Sequence, residues 1–402
     1  MDEKSAGTKC GETISIIMAL SPKDNILNML RPVRRVEIKH PVECWYTARD
    51  PLAHQRLLKL TRGIYLMEEW WKERNLKVSY SITDYNQYYL HAIPQLELFV
   101  REFHRIIAPQ QQLDDKNLIF GLGATQLLHA AIYALCIVHA GGRKKEKFIE
   151  ASPLYFTHQT PGYLDTKELI ESFKEFNAQW IDFESHQSIA FLNLVELITS
   201  PNNPDSRYLT QETRARYIVN DRVNLWPFFM TNSQDKYLNE TLEQDIISVF
   251  SLPKILSFSG SRVGYAFISD PRVAKYMKYF IMLETHGLSS DGQIRCLTAL
   301  RYLIENNLVK EYIDCISEQF STRWDLINKI IPNTEIKLLN QDGPNIWIKT
   351  PSNAQRYLFD KYKIIATYGP EYGASDEYAR LNMQCTTNEF QELLHRLESK
   401  IG

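Results

Sequence analysis

Ser251-Leu-Pro-Lys-Ile-Leu-Ser-Phe-Ser-Gly-Ser-Arg-Val-Gly264 carries the reading of this chain. It sets Lys254 eight residues before Arg262, with Ser251 three residues ahead of the lysine and glycines on either side of the arginine. The spacing suits a small molecule with an aldehyde at one end and a phosphate at the other, pyridoxal 5'-phosphate. The lysine amine condenses with the aldehyde, while the Ser251 hydroxyl and two parallel N–H groups of Arg262 grip the phosphate. Ordinary basic loops share the pattern, so the rest of such a site has to be found elsewhere in the chain.

The other parts occur in order. Ile119-Phe-Gly-Leu-Gly-Ala-Thr-Gln126 reads as a short apolar strand breaking into a glycine loop, and Leu127 to Val138 reads as a long buried helix. Gly123 lets backbone approach a phosphate, and the amides of Ala124, Thr125 and Gln126 at the helix start would bind it with help from the helix dipole. Leu197-Ile-Thr-Ser-Pro-Asn-Asn-Pro-Asp205 is a strand running into a turn, where the amide of Asn203 can be aimed at a ligand. Arg216-Tyr-Ile-Val-Asn-Asp221 is a β-branched run ending in a carboxylate, which would enter the ligand crevice if the strand is parallel to its neighbours. Each piece alone has a plainer reading as a turn, a core helix or a core strand.

Taken together these residues resemble the fold-type I aminotransferases, and more closely the alliinase and tryptophan aminotransferase-related group. The matches are Gly121-Leu-Gly-Ala-Thr-Gln126, Ser200-Pro-Asn-Asn-Pro-Asp205, Asp221 with Trp226-Pro227, and Ser251-x-x-Lys254 with Gly260-Ser-Arg262-Val-Gly264. Weaker similarity covers Glu68-Glu-Trp-Trp71, Leu96-Glu-Leu-Phe99, Thr285 to Arg295 and Tyr378-Ala-Arg-Leu-Asn-Met383. The resemblance implies an α/β fold, with a mainly parallel sheet in a large cofactor-binding domain and a smaller α+β domain. It also implies roles. Asp221 pairs with the protonated pyridine nitrogen, a unit-charge contact worth roughly 4 kcal/mol before desolvation at about 4 Å and an effective dielectric of about 20. Tyr155 stacks on the ring, with Phe156 as its alternative if Tyr155 is a core residue, Asn203 binds the ring's 3-oxygen and the substrate, and Arg380 takes the substrate α-carboxylate. Tyr80 reaches the phosphate of the neighbouring subunit in a homodimer. Lys254, once displaced by the substrate, becomes the general base and needs an amine pKa well below the usual lysine range.

The implied activity is transfer of an amino group from an L-amino acid, such as tryptophan or another aromatic one, to a 2-oxo acid. The same cofactor and fold serve a carbon–sulfur (β-eliminating) lyase equally well, and a non-catalytic dimeric relative is a third reading. Two departures bear on the choice. Asn224 stands where relatives carry a tyrosine, and Thr61-Arg-Gly-Ile-Tyr65 replaces a Gly-Asp-Pro segment that lies near the substrate in relatives. Asn224 can still donate to the 3-oxygen, but it is shorter than tyrosine and not acidic.

Composition fits a globular enzyme. The chain has 402 residues, 44% of them hydrophobic, and a net charge of −2, which gives no electrostatic case for nucleic acid or an anionic membrane. No run approaches the roughly 20 apolar residues that span a bilayer, and Ile14 to Leu20 is too short for a signal peptide, so a cytoplasmic location is expected. Cys10, Cys44, Cys136, Cys296, Cys315 and Cys385 lie far apart, which predicts reduced thiols and no metal site. Residues 1–51 read as a tail and a segment joining the small domain, 52–305 as the large domain and 306–402 as the small one. Strands are expected at Phe148–Ala151, Ala190–Val195 and Tyr265–Ile268. Ile93 to Ile107 reads as an amphipathic helix with Ile93, Leu96, Phe99, Phe103 and Ile106 inward.

Overall fold

The computed structural model describes residues 58–60, 64–81, 92–111, 113–143, 147, 150–160, 164–229 and 246–399. The expectations for 1–51, for Thr61-Arg-Gly63 and for Phe148-Ile149 fall outside these residues.

The chain enters through a two-residue strand, β1 (Leu58–Lys59), a helix, α1 (Glu68–Arg74), and a longer one, α2 (Pro94–Ile107). Proline starts α2, where its missing N–H would be unpaired in any case. The helix buries Leu96, Val100, Phe103, His104 and Ile107, a spacing of three and four that keeps one stripe inward. Ile106, expected inside, is 43% exposed because that count drifts off the stripe, and His104 occupies the core position instead.

Seven strands build the main sheet: β2 (Asn117–Gly121), β3 (Leu154–His158), β4 (Ala178–Trp180), β5 (Leu194–Thr199), β6 (Tyr217–Asp221), β7 (Ile247–Ser251) and β8 (Gly264–Ile268). Their spatial order is β2-β8-β7-β6-β5-β3-β4. Strands β4, β3, β5, β6 and β7 run parallel, and β8 runs against both of its neighbours. Strand β3 lies at Leu154–His158, downstream of the expected Phe148–Ala151, and β5 begins at Leu194, four residues after the expected start.

Helix α3 (Gly123–His139) is apolar on almost every side because it lies between the sheet and α6 (Pro271–Thr285). Between β3 and β4 comes α4 (Leu164–Ser172), and the one-turn α5 (Leu252–Leu256) links β7 to β8. Helices α7 (Ser290–Glu305) and α8 (Val309–Ile330) lead to a four-stranded antiparallel sheet in the order β12 (Thr367–Tyr368), β13 (Tyr378–Asn382), β10 (Asn345–Lys349), β9 (Lys337–Leu338). Helix α9 (Ala354–Tyr362) and strand β11 (Ile364–Ile365) fall within this region, and α10 (Thr387–Ser399) follows it. Strand β1 pairs in parallel with β11, which ties the start of the described chain to its C-terminal part.

A buried carboxylate inside the sheet helps to fix a connection. Glu196, fully buried in β5, accepts from Gln159 Nε2 (2.6 Å), Glu212 N (3.3 Å), Thr213 N (3.1 Å) and Thr213 Oγ1 (2.6 Å). Four donors offset the desolvation of the carboxylate and pin the connection between β5 and β6.

Candidate active site

Register alone gathers the site. Thr199 at the end of β5 lies opposite Asp221 at the end of β6, and Asp221 lies opposite Val249 of β7. Ser251 ends β7 opposite Gly264, and Gly264 also lies opposite Gly121 at the end of β2. The turns that follow β2, β5, β6 and β7 therefore emerge along one edge, where open α/β sheets bind ligands.

The glycine loop and the arginine form one end of the site. Gly123 has φ +83°, and a Cβ placed there would lie 2.9 Å from Nη2 of Arg262. Arg262 itself sits in the left-handed region at φ 49°, exposed, and donates from Nη2 to Leu122 O at 3.3 Å. A Cβ at Gly264 would fall 2.5 Å from the Gly123 carbonyl carbon, so the two loops touch through bare backbone. No side chain caps α3, which leaves the amides of Gly123, Ala124 and Thr125 to a ligand. Gln126 serves the fold instead: its Oε1 accepts from Leu122 N at 2.7 Å, its Nε2 donates to Glu284 at 2.9 Å, and its own amide is the first to pair within the helix. Ser251 is half-buried at the start of α5 and does not cap it.

Lys254 is half-buried on α5, and its amine pKa is lowered to about 8. Burial is the main cause, the Arg380 guanidinium adds to it, and Asp221 opposes. Arg380 and Asp221 are thus the charges that act on the lysine, although they come from opposite ends of the sequence. Arg380, buried in β13, donates from Nη1 to Asn203 Oδ1 at 2.8 Å, and its guanidinium carbon lies 5.2 Å from the Tyr372 ring centre. This contact distinguishes the two turn asparagines. Asn203 meets the arginine, whereas Asn202 is buried and bonded to Asp205 and Thr160.

Tyr155 is placed differently from the expectation. Tyr155 does not stand beside Asp221. It packs against Leu194, Ile198, Ala215 and Ile218, whereas its strand neighbours Leu154 and Phe156 join the α3 cluster on the other face. Alternation along the strand sends Tyr155 away from α3, while Asp221 shares a cavity with Leu128 and Ile132 of α3. His158, three residues later, lines that same cavity. Its Nε2 lies 3.2 Å from Thr199 Oγ1 and its Nδ1 2.5 Å from Thr160 O, and burial lowers its pKa to about 4. Tyr80, expected to act on a neighbouring subunit, is 42% exposed, and its hydroxyl bonds to Asp291 of its own chain. Asn224 is buried and donates to Pro201 O across 3.4 Å, while its Oδ1 has no partner among the described residues. One amide hydrogen thus ties two turns together, and only the second remains for a cofactor oxygen.

Three hydrogen bonds around α5 had no signal in the sequence. Ser257 Oγ donates to Ile64 O at 2.5 Å, Ser257 N–H returns to Pro253 O at 2.9 Å, and the Tyr312 hydroxyl donates to Ile255 O. Among the described residues no group of three histidines, cysteines or carboxylates could hold a metal, and no helix is long and apolar enough to cross a membrane.

Fold and site together define a fold-type I aminotransferase architecture, with the seven-stranded mainly parallel sheet and the small antiparallel sheet of that class. The chain belongs to the Alliinase_C (Allinase) family, whose model matches residues 61–346. It is 26% identical over 340 residues to tryptophan aminotransferase-related protein 3 of Arabidopsis thaliana, covering 79% of this chain and 71% of that one. It is 21% identical over 374 residues to alliin lyase 2 of Allium sativum, covering 84% and 76%. Among solved structures, YbdL of Escherichia coli, reported with a methionine aminotransferase function, superposes with a TM-score of 0.63 at 14% identity, covering 92% of this chain and 99% of that one. A double mutant of Thermus thermophilus aspartate aminotransferase gives 0.60 at 15% identity, covering 92% and 100%.

Family members use pyridoxal phosphate, as aminotransferases or as carbon–sulfur lyases. The residues present here fit that cofactor. A cradle of bare glycine backbone under a guanidinium suits a phosphate, a lysine with a lowered pKa suits an aldehyde, and a buried strand-end carboxylate suits a pyridinium.

Proposed function

We propose that this chain is an aminotransferase that moves the amino group of an L-amino acid, in the first instance an aromatic one, to a 2-oxo acid with pyridoxal 5'-phosphate. The observation that carries the reading is the convergence on Lys254 of a carboxylate from the main sheet and a guanidinium from the small sheet. A substrate with an anionic end and a reactive amine fits between such groups. When bound, the cofactor supplies a conjugated ring that takes up the electron pair left when the substrate loses its α-proton.

The protein residues do the rest. Ser251, Arg262 and the first amides of α3 hold the phosphate. Asp221 holds the ring nitrogen in its protonated form. Arg380, steadied by Asn203 Oδ1 at 2.8 Å, takes the substrate carboxylate and so orients the α-hydrogen. Nζ of Lys254 accepts that proton. With a pKa of about 8, roughly a tenth of the amine is neutral at pH 7, against about one part in three thousand for an ordinary lysine. The gain is over two orders of magnitude in usable base. Lys254 would hold that proton for its return, water would then release the 2-oxo acid, and a second 2-oxo acid would carry the amino group away by the reverse sequence.

An aromatic substrate is favoured by Tyr372, which lies against Arg380, and by Trp347, whose ring contacts both Tyr372 and Tyr378. The alliin lyase relatives support β-elimination as the second reading. The two separate when the purified yellow protein is mixed with single amino acids and its absorbance followed. Transamination leaves the amine form of the cofactor until a 2-oxo acid is added, whereas elimination regenerates the aldehyde form at once. We also propose a homodimer, supported by the exposure of Tyr80. An active species sedimenting as a monomer would reject it.

A further inference from the structure

Helix α5 is one turn long, yet it carries the residue on which the proposed chemistry depends. Helices shorter than about 12 residues are not stable alone in water, so the direction of Lys254 is set by what holds this turn from outside. Its N-terminal end has no side-chain cap. The Leu252 amide joins Val263 O at 3.1 Å, and at the far end Ser257 turns left-handed at φ 66° to close the helix. The last carbonyls of a helix have no partner within it, and the Ile255 carbonyl, adjacent to Lys254, receives the Tyr312 hydroxyl.

We propose that Tyr312, seconded by Ser257, is a positioning residue for Lys254, clamping the lysine turn to the long helix α8 and to the Ile64 strap. The proposal rests on the reading of Lys254 as the reactive amine. Tyr312 is fully buried and its ring is walled by Trp70, 4.7 Å away, and Trp71, 5.6 Å away, so the hydroxyl cannot swing off its carbonyl. Burial raises the phenol pKa, which keeps the group protonated and donating at any working pH. On the other side Ser257 Oγ holds Ile64 O at 2.5 Å, and the next amides, Tyr65 and Leu66, both donate to Gln384 O at 2.8 and 3.1 Å. Gln384 follows the strand that bears Arg380. The lysine turn is therefore held between α8 and a strap that leads to the carboxylate-binding strand. Neither Tyr312 nor Ser257 is assigned a contact with cofactor or substrate. They act by keeping Nζ out of bulk water and near Arg380 and Asp221, the charged groups that act on it.

The test uses full-length protein freed of cofactor. Acetylation of Lys254 by acetic anhydride is followed against pH by peptide mass spectrometry, with circular dichroism to confirm folding. Wild type should show a midpoint near pH 8. Tyr312→Phe keeps the ring between the tryptophans and removes only the hydroxyl. Its midpoint should rise by about one unit, lowering Lys254 labelling at pH 8 about fivefold. Ser257→Ala should shift the same way, and it decides the matter if Tyr312→Phe does not fold. Folded variants with the wild-type midpoint would overturn the positioning role alone. A wild-type midpoint near that of an ordinary lysine would overturn the reading of Lys254, and the positioning role with it.

Discussion

Gly123→Ala should damage cofactor binding far more than folding. Two costs arise at this position. At φ +83° an alanine is strained by about 1–2 kcal/mol, and its Cβ would sit 2.9 Å from Arg262 Nη2 and 3.3 Å from Cζ. The fold absorbs the second cost cheaply, because the obstructing atoms are the tip of a long side chain that can move aside. The ligand site cannot, because that tip is the phosphate grip. A hydrogen bond to a charged partner is worth about 1.5–3 kcal/mol, so displacing the guanidinium should weaken pyridoxal phosphate binding roughly tenfold to a hundredfold. Gly141→Ala is the matched control: φ is +73° there, and nothing lies within 4 Å of the added carbon. Both variants should lose similar stability in urea titrations, and only Gly123→Ala should lose affinity in an absorbance titration with the cofactor. Equal affinities for the two variants would refute the argument that Arg262 over Gly123 forms the phosphate site.

Three further outcomes are expected. Lys254→Ala should abolish turnover yet still bind cofactor, and borohydride reduction of wild type should label Lys254 in a peptide map; a label on another lysine would displace the assignment. Arg380→Lys should lower kcat/KM for amino acids about tenfold to a hundredfold while leaving cofactor absorbance unchanged, since an ammonium cannot bind a carboxylate through two parallel N–H groups. Stability should fall in acid: His104 and His158 have pKa values lowered to about 3 and about 4, chiefly by burial. Both stay neutral when folded and take up protons when unfolded, so their stabilisation is complete above the ordinary histidine pKa near 6.5. It is lost from there down to about pH 4 for His158 and about pH 3 for His104, at a limiting slope of about 1.4 kcal/mol per unit for each. Urea unfolding energies that stay flat between pH 7.5 and 4.5 would contradict this.

Much of the candidate site could be proposed from sequence because its members belong to short local patterns. Lys254 with Arg262, the glycine loop before a buried helix, and Asp221 closing a β-branched strand each need only a few neighbours to be read, and the register places all of them along one sheet edge. Residues whose meaning depends on strand position were harder. Tyr155 took its ring-stacking role from the resemblance, whereas the strand at Leu154–His158 turns it to the other face and puts His158 at the cavity. A two-residue period shows which side chains share a face but not which face meets α3. Contacts between distant segments left no pattern at all: Ser257 to Ile64 spans 193 positions and Tyr312 to Ile255 spans 57. The reversal of β8 was equally silent, since its apolar run looks the same in either direction.

That reversal has a consequence for how the molecule could open and close. Because β8 returns beside β7, the residues assigned to the aldehyde end and to the phosphate end of the cofactor ride on one fourteen-residue excursion, from Ser251 to Gly264, whose two feet are neighbours in the ladder. Their separation is fixed locally, like the jaws of a fixed-gauge tool. Arg380 stands on a different sheet, but its bond to Asn203 and the strap from Ser257 through Ile64 to Gln384 tie that sheet to the turn after β5 and to the lysine turn, so a shift of it would be felt at both.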